Sequence, residues 1–253
     1  MNNNKVALIT GASRGLGAIV SNSLAEKGFT LIMVSRSLND LESVKNKLKS
    51  PEKHRVCAVD LCDLRSIEGR LTSIDLPIEK VDVVIHAAGG GIGLKDSLLS
   101  VDDFERLLGL NLSSAIEINR LVIPSMIRAK RGNIIHVGSI ASYEAVGSVG
   151  YNTVKAGICG YVRSIGREVL KDGIILSGIL PGGFISDGNA MDRLRSRNPE
   201  AYKNFIKERL PRGEMGKAEE LIPIISLLCE RSAAMFGGCL IPVDAGEGKA
   251  YFV

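Results

Sequence analysis

The chain contains no tryptophan, and aromatic residues reach only 4% of its 253 positions. A surface that reads single-stranded nucleic acid by stacking bases on rings is thereby excluded on supply alone. The five cysteines, Cys57, Cys62, Cys159, Cys229 and Cys239, form no CxxC pair and leave an odd thiol. That pattern argues against a disulfide framework or a structural zinc site and for a reducing compartment. No apolar run approaches the roughly 18 residues of a membrane span, and the run inside MNNNKVALITG is too short for a signal-peptide core. Lysine and arginine exceed the acids by 32 to 28, a formal net charge of +4, yet they are scattered and build no basic tail. These absences predict a cytoplasmic protein with neither a membrane nor a nucleic acid as partner.

Hydrophobic residues make up 45% of the sequence and charged residues 24%, enough apolar surface to bury a sizeable core and to exclude disorder. At roughly 150 residues per domain, the length admits one large α/β domain or two small ones. Seven short apolar, β-branched runs decide between them: Val6 to Thr10, Thr30 to Ser35, Arg55 to Asp60, Val81 to Ala87, Asn133 to Val137, Ile174 to Leu180 and Leu240 to Val243. Between the runs, apolar residues recur at helical spacing, as in Leu16, Ile19, Val20 and Leu24, or Leu41, Val44 and Leu48, or Phe104, Leu107, Leu108, Leu112, Ile116 and Leu121. Strands apolar on both faces that alternate with helices demand a parallel sheet covered on both sides. The expectation is a single doubly wound α/β domain over residues 1–253, with about seven strands. Residues 184–212 interrupt the pattern as a polar insertion, read as a substrate lid. That insertion carries seven cations (Arg193, Arg195, Arg197, Lys203, Lys207, Arg209, Arg212) against four acids (Asp187, Asp192, Glu200, Glu208), which suggests an anionic substrate.

The first strand runs directly into TGASRGLG, Thr10 to Gly17, and then into a helix. A chain that reverses here and approaches a pyrophosphate needs residues without Cβ at Gly11, Gly15 and Gly17, and it sets the phosphate on a positive helix terminus. Its position after the first strand and before a helix makes a dinucleotide-binding turn the expectation. At the end of the second strand an acid would bind a ribose 2′-hydroxyl, whereas an arginine accommodates a 2′-phosphate. Arg36 stands there, and Arg14 in the glycine loop adds a second cation, so NADP(H) is the expected cofactor. Asp40 lies at the offset of an S-x-x-D capping box opened by Ser37 and takes a structural role. Tyr151 and Lys155 are four apart in YNTVK and project from one helix face. A cation within about 4 to 6 Å favours a phenolate, which brings the tyrosine toward proton exchange at neutral pH. Ser139, just past the fifth run, can hold a substrate oxygen. His86 reads as a satisfied histidine at a strand end, and Cys159 as core.

Taken together, these motifs resemble those of the short-chain dehydrogenase/reductase family in its compact form, over almost the whole chain. TGASRGLG resembles that family's TGxxxGxG loop, with Gly11, Ser13, Arg14, Gly15, Leu16 and Gly17 implied to hold the cofactor. VDL, with Asp60 and Leu61, resembles its adenine contact. HAAG, with Ala87, Ala88 and Gly89, resembles the NAAG that closes the fourth strand. PGGFIS, with Pro181, Gly182 and Ser186, resembles the PGxxxT segment beside the nicotinamide. Asn111 in LNLSS, Ser139 in GSIAS, Tyr151 and Lys155 match the family's catalytic tetrad. The resemblance implies Tyr151 as general acid, Lys155 lowering its pKa and holding the nicotinamide ribose, Ser139 orienting substrate and Asn111 holding a relay water. Three departures stand out: His86 for asparagine, Ser186 for threonine, and Ser139 twelve positions before Tyr151 where thirteen is usual, which leaves Ser142 as a competitor. The implied activity is NADPH-dependent reduction of a carbonyl to a secondary alcohol, or the reverse, on a 3-oxoacyl thioester or keto-sugar-like substrate. A homo-oligomer, tetramer or dimer, is implied as well. Two rivals are a non-catalytic NADP(H) sensor, which has no need of Tyr151 and Lys155, and a sugar-nucleotide epimerase or dehydratase, whose larger C-terminal domain finds no room in this length.

Overall fold

Strand β1 (Val6–Thr10) is buried along its whole length, as a central strand with helices on both faces must be. Its alternate residues serve two different cores. Ala7 and Ile9 pack with Leu16, Val20 and Leu24 on one face, while Val6 and Leu8 pack with Ile67, Ile118, Val122, Ile158 and Val162 on the other. The computed structural model describes residues 5–250. After β1 come α1 (Gly15–Glu26), β2 (Thr30–Ser35), α2 (Leu38–Lys45), β3 (Arg55–Ala58), α3 (Leu64–Thr72) and β4 (Val81–His86). The second half continues with α4 (Val101–Leu108), α5 (Ser114–Ala129), β5 (Gly132–Val137), α6 (Val149–Leu170) and β6 (Ile174–Pro181). It finishes with β7 (Phe184–Ile185), α7 (Ala190–Arg197), α8 (Pro199–Arg209), β8 (Gly216–Lys217), α9 (Ile222–Leu228) and β9 (Leu240–Val243).

Seven strands form one sheet in the order β3-β2-β1-β4-β5-β6-β9, and every neighbouring pair is parallel. The doubly wound Rossmann architecture expected from the apolar runs is what the chain adopts. The order reverses beside β1, whose partners are β2 and β4. Loops leaving the carboxyl ends of β1 and β4 part there and open the crevice in which such sheets bind ligands. Three strands, β1, β2 and β9, coincide with the apolar runs, and the other four differ from them by one or two residues. The third strand stops at Ala58 because the Asp60 carboxylate then accepts the Cys62 N–H at 2.9 Å and turns the chain.

Two features have no sequence periodicity to announce them. One is the β7–β8 pair, whose strands are only two residues long. The other is a π-helical turn, Gly109–Ser113, set between α4 and α5. The polar insertion expected at residues 184–212 contains β7, α7 and α8, and neither helix contributes a fully buried residue. No helix among the described residues is long and apolar enough to cross a membrane.

Candidate active site

The glycine loop is shaped by close approach. Gly11 has φ +70°, and a Cβ there would stand 2.9 Å from the Ala88 amide nitrogen, so the turn after β1 lies directly on the HAAG segment after β4. A Cβ on Gly17 would stand 2.2 Å from the Gly11 carbonyl oxygen, which no side chain can meet. Helix α2 is capped by Ser37, whose hydroxyl accepts the Asp40 N–H at 3.3 Å, and this gives Asp40 the structural role expected of it. Helix α1 differs: Arg14 at its N-cap makes no capping bond, and no acid stands in its first turn. Its first N–H groups are thus available to an anion. A cavity of about 480 Å³ opens alongside, lined by Ser13, Arg14, Gly15, Asp40, Lys47 and Asp187. A glycine cradle, an uncapped helix terminus and nearby cations together fit a dinucleotide phosphate.

The two arginines meet different neighbours. Arg36 is exposed at the end of β2, and its charge acts on the Cys62 thiol. Arg14 is also exposed, but its guanidinium lies 3.3 Å from where a Gly188 Cβ would stand, against the insertion. Leu16 and Leu61 are buried, at 7% and 3% exposure. The insertion also reaches the glycine loop itself: a Cβ on Gly15 would stand 3.2 Å from the Ser186 hydroxyl.

At the end of β4 the loop is held by side chains. The Thr10 hydroxyl accepts the Ala88 N–H at 3.1 Å. Asn111, buried in the π-helical turn, accepts the Gly90 N–H at 2.9 Å and donates to the Gly90 carbonyl at 3.1 Å and the Leu107 carbonyl at 2.9 Å. The extra residue of a π-turn re-aims one side chain relative to a regular helix, and here that side chain is Asn111. A Cβ on Gly89 would stand 2.8 Å from Asn111 Oδ1 and 3.2 Å from Lys155 Nζ. Asn111 and Lys155 therefore converge on a backbone that only glycine allows.

Helix α6 carries Tyr151 and Lys155 on one face. The Lys155 ammonium is buried at 3% exposure and donates to the Val137 carbonyl at 3.0 Å. Burial pulls its pKa down to about 8. Ser139 stands beside Tyr151 and draws its pKa down, and the Ser139 hydroxyl accepts the Ala141 N–H at 3.1 Å. Ser142, the competing serine, is buried, and its hydroxyl has no hydrogen-bond partner among the described residues. One expectation is corrected here. Burial pushes the Tyr151 phenol up from its ordinary value, opposed by the neighbouring Ser139 and not by Lys155. The Lys155 nitrogen stands 5.6 Å from the tyrosine ring centroid and spends its charge on the Val137 carbonyl. Desolvation thus outweighs the cation, and the phenol stays protonated.

The Pro181–Gly183 turn after β6 is fixed by groups that sequence reading missed. Gly182 donates to the Val243 carbonyl at 3.3 Å, Gly216 donates to the Gly183 carbonyl at 3.2 Å, and Gly183 donates to the carboxylate of Glu247. Nothing in the sequence marked Glu247, which follows the last strand in a tail without periodicity. A second missed group lies behind the site. His86 donates through Nε2 to Asn119 Oδ1 at 2.9 Å, and Asn119 donates to His136 Nε2 at 3.2 Å and to the Tyr161 hydroxyl at 3.1 Å. The two imidazoles lie 4.5 Å apart, and burial lowers both pKa values, that of His86 to about 4. The reading of His86 as a satisfied strand-end histidine holds; its partners could only be seen once β4, β5, α5 and α6 were assembled.

A glycine cradle at the switch point of a parallel sheet, with a Tyr–Lys helix pair whose lysine is buried, defines a nucleotide-dependent oxidoreductase. The short chain dehydrogenase family profile matches residues 5–196, and the chain belongs to that family. The 3-oxoacyl-[acyl-carrier-protein] reductase of Escherichia coli (strain K12) is 30% identical over 246 residues, covering 96% of each chain. The enzyme of that description from Aquifex aeolicus is 28% identical over 248 residues, again covering 96% of each. Among solved structures, a 3-oxoacyl (acyl-carrier-protein) reductase from Agrobacterium tumefaciens with NADP bound superposes with a TM-score of 0.84 at 26% identity, covering 96% of this chain and 93% of that one. The L-sorbose reductase from Gluconobacter frateurii, complexed with NADPH and L-sorbose, gives a TM-score of 0.86 at 25% identity, covering 98% and 97%.

Proposed function

We propose that the protein is an NADPH-dependent carbonyl reductase that interconverts a ketone and a secondary alcohol. The observation that carries this reading is the meeting of Tyr151, with Ser139 beside it, and the buried Lys155, whose nitrogen stands 5.6 Å from the Tyr151 ring centroid and 3.2 Å from where a Gly89 Cβ would stand. NADPH, when bound, supplies the hydride. Gly11, Ser13, Arg14, Gly15, Leu16 and Gly17 hold its diphosphate side, Arg36 with Arg14 the 2′-phosphate, and Asp60 with Leu61 the adenine. Ala87, Ala88 and Gly89 line its middle, while Pro181, Gly182 and Ser186 face the nicotinamide.

Reduction makes an alkoxide that must be protonated. Tyr151, kept neutral by burial, donates that proton, and Ser139 holds the same oxygen in line with it. Lys155 places a positive charge next to the tyrosinate that forms and toward the ribose, so the proton leaves a phenol whose anion is stabilised only when it appears. Asn111 keeps the loop after β4 in register with Lys155 and offers a polar anchor for a relay water.

The relatives' chemistry supports a 3-oxoacyl thioester, and the structural neighbours support a keto-sugar, as substrate. Helices α7 and α8, with no fully buried residue of their own, serve as the lid of one single-domain protein. Support for an anionic substrate is thinner than the cation count suggested. Arg195 is paired with Asp192, Arg209 with Glu247 and Arg212 with Glu214 and Glu220. Arg193 donates to the Gly188 carbonyl. Arg197, Lys203 and Lys207 remain to face a substrate. The test is NADPH consumption over a panel of 3-oxoacyl thioesters and keto-sugars. Turnover on one class supports the reading. Tight NADPH binding with no turnover on any carbonyl points to the sensor, and failure to bind NADPH overturns the cofactor assignment.

A further inference from the structure

Glu247 lies in the tail after β9, yet its side chain is 2% exposed. Its carboxylate accepts the Gly183 N–H and pairs with the Arg209 guanidinium at 2.9 Å. Gly183 belongs to the turn after β6, and Arg209 ends α8. One buried carboxylate therefore joins three segments far apart in sequence. The fit around it is tight: a Cβ on Gly182 would stand 2.7 Å from Glu247 Oε2, and a Cβ on Gly183 would stand 3.1 Å from the Phe205 ring of α8. Arg209 also lies 5.1 Å over that ring. Among the described residues, Glu247 supplies the side-chain hydrogen bond to this turn, and its other bonds are backbone to backbone.

A helix hairpin with no fully buried residue has little hydrophobic hold on the sheet. A charge pair whose acid is buried can supply the missing specificity, because breaking it leaves an uncompensated charge inside. We propose that Glu247 is a positioning residue that fixes the Pro181–Gly183 turn and, through Arg209, ties the α7–α8 hairpin to it. This role rests on the reductase reading above, in which the turn faces the nicotinamide and the hairpin covers the substrate. Docking of the hairpin and placement of the turn are then one event: substrate that closes the helices also sets the nicotinamide wall.

The tests separate the clamp from the activity. Hydrogen exchange on the unliganded protein reads the clamp alone. Glu247→Ala should speed exchange at the Gly183 amide and along residues 190–209 by roughly tenfold or more while leaving β1 and β4 at the wild-type rate. Kinetics then read its use. The isosteric Glu247→Gln keeps an acceptor for Gly183 but loses the charge partner of Arg209, so KM for the keto substrate should rise roughly fivefold with the NADPH Kd within about twofold. Arg209→Gln should reproduce that split, the double variant should be no worse than either, and Arg209→Lys should restore KM. Unchanged exchange in Glu247→Ala overturns the clamp, whatever the turnover. Faster exchange with wild-type KM and Kd in Glu247→Ala, Glu247→Gln and Arg209→Gln shows a clamp the reaction does not use and overturns the positioning role. A wild-type protein whose hairpin is clamped but which turns over no carbonyl fails the reductase reading instead, and with it the part played by the turn in catalysis.

Discussion

Asn111 grips Gly90 from both sides, taking its N–H at 2.9 Å and giving to its carbonyl at 3.1 Å, and so clamps the loop after β4 onto a π-helical turn. Asn111→Ala removes three hydrogen bonds to backbone groups, two of them to Gly90. At about 1 kcal/mol each, and roughly 2 to 4 °C of Tm per kcal/mol at this chain length, melting should fall by about 6 to 12 °C. The rate should fall by at least about tenfold as the loop loses its register with Lys155. Calorimetry and steady-state kinetics on the same sample check both; a variant with unaltered Tm and kcat contradicts the clamp.

The buried histidines predict a pH dependence of stability. Burial lowers His86 to about 4, against 6.5 for a free imidazole. On acidification the unfolded chain takes the proton first, so this stability is fully present above pH 6.5 and is lost as pH falls toward 4. For His86 alone the loss is about 3 kcal/mol across that window, and His136 adds in the same direction. Urea unfolding at pH 7.5 and at pH 4.5 measures it, with His86→Asn as control. The variant should show a shallower pH dependence; equal slopes would place the acid sensitivity elsewhere.

The proposed function puts Arg36 and Arg14 on the 2′-phosphate. Each charge-assisted contact to a 2′-phosphate contributes about 1.5 to 3 kcal/mol, so NADPH should bind at least about tenfold tighter than NADH. Arg36→Ala should cut that ratio, and raising salt should narrow it. Titration by quenching of nucleotide fluorescence at physiological salt decides; equal dissociation constants contradict the assignment.

Apolar side chains left at the surface predict self-association. Leu98 is 87% exposed just before α4, Val101 is 72% exposed at its start, and Val149 is 55% exposed at the start of α6. Light scattering at micromolar concentration should give two or four times the 27.1 kDa of one chain. A mass of one chain contradicts it.

How much of this was legible beforehand follows from the physics of each signal. The parallel sheet was readable because β1, β2, β4, β5 and β6 are largely buried runs of five or more residues bounded by turns, and burial on both faces leaves only a parallel sheet; the strand order was not read. The glycine loop was readable because Gly11 and Gly17 face backbone atoms at distances no Cβ survives. Tyr151, Lys155 and Asn111 were readable through a family's motifs, although the direction of the tyrosine's pKa shift was not, since it depends on burial and on where Lys155 spends its hydrogen bond. Glu247 with Arg209, and His86 with Asn119 and His136, were illegible for another reason. Such pairs have no spacing, only a meeting point supplied by the assembled fold.

The most direct test removes one oxygen. Tyr151→Phe keeps the ring and the packing of α6 but deletes the hydroxyl that Ser139 neighbours. Proton donation of this kind contributes about 10² to 10⁴ in rate, so kcat for the best keto substrate should fall by at least about a hundredfold. The NADPH dissociation constant should stay within about twofold, because the lost group serves proton transfer and not cofactor binding. A Phe variant that keeps more than about a tenth of the wild-type rate contradicts Tyr151 as the proton donor and the site built around it.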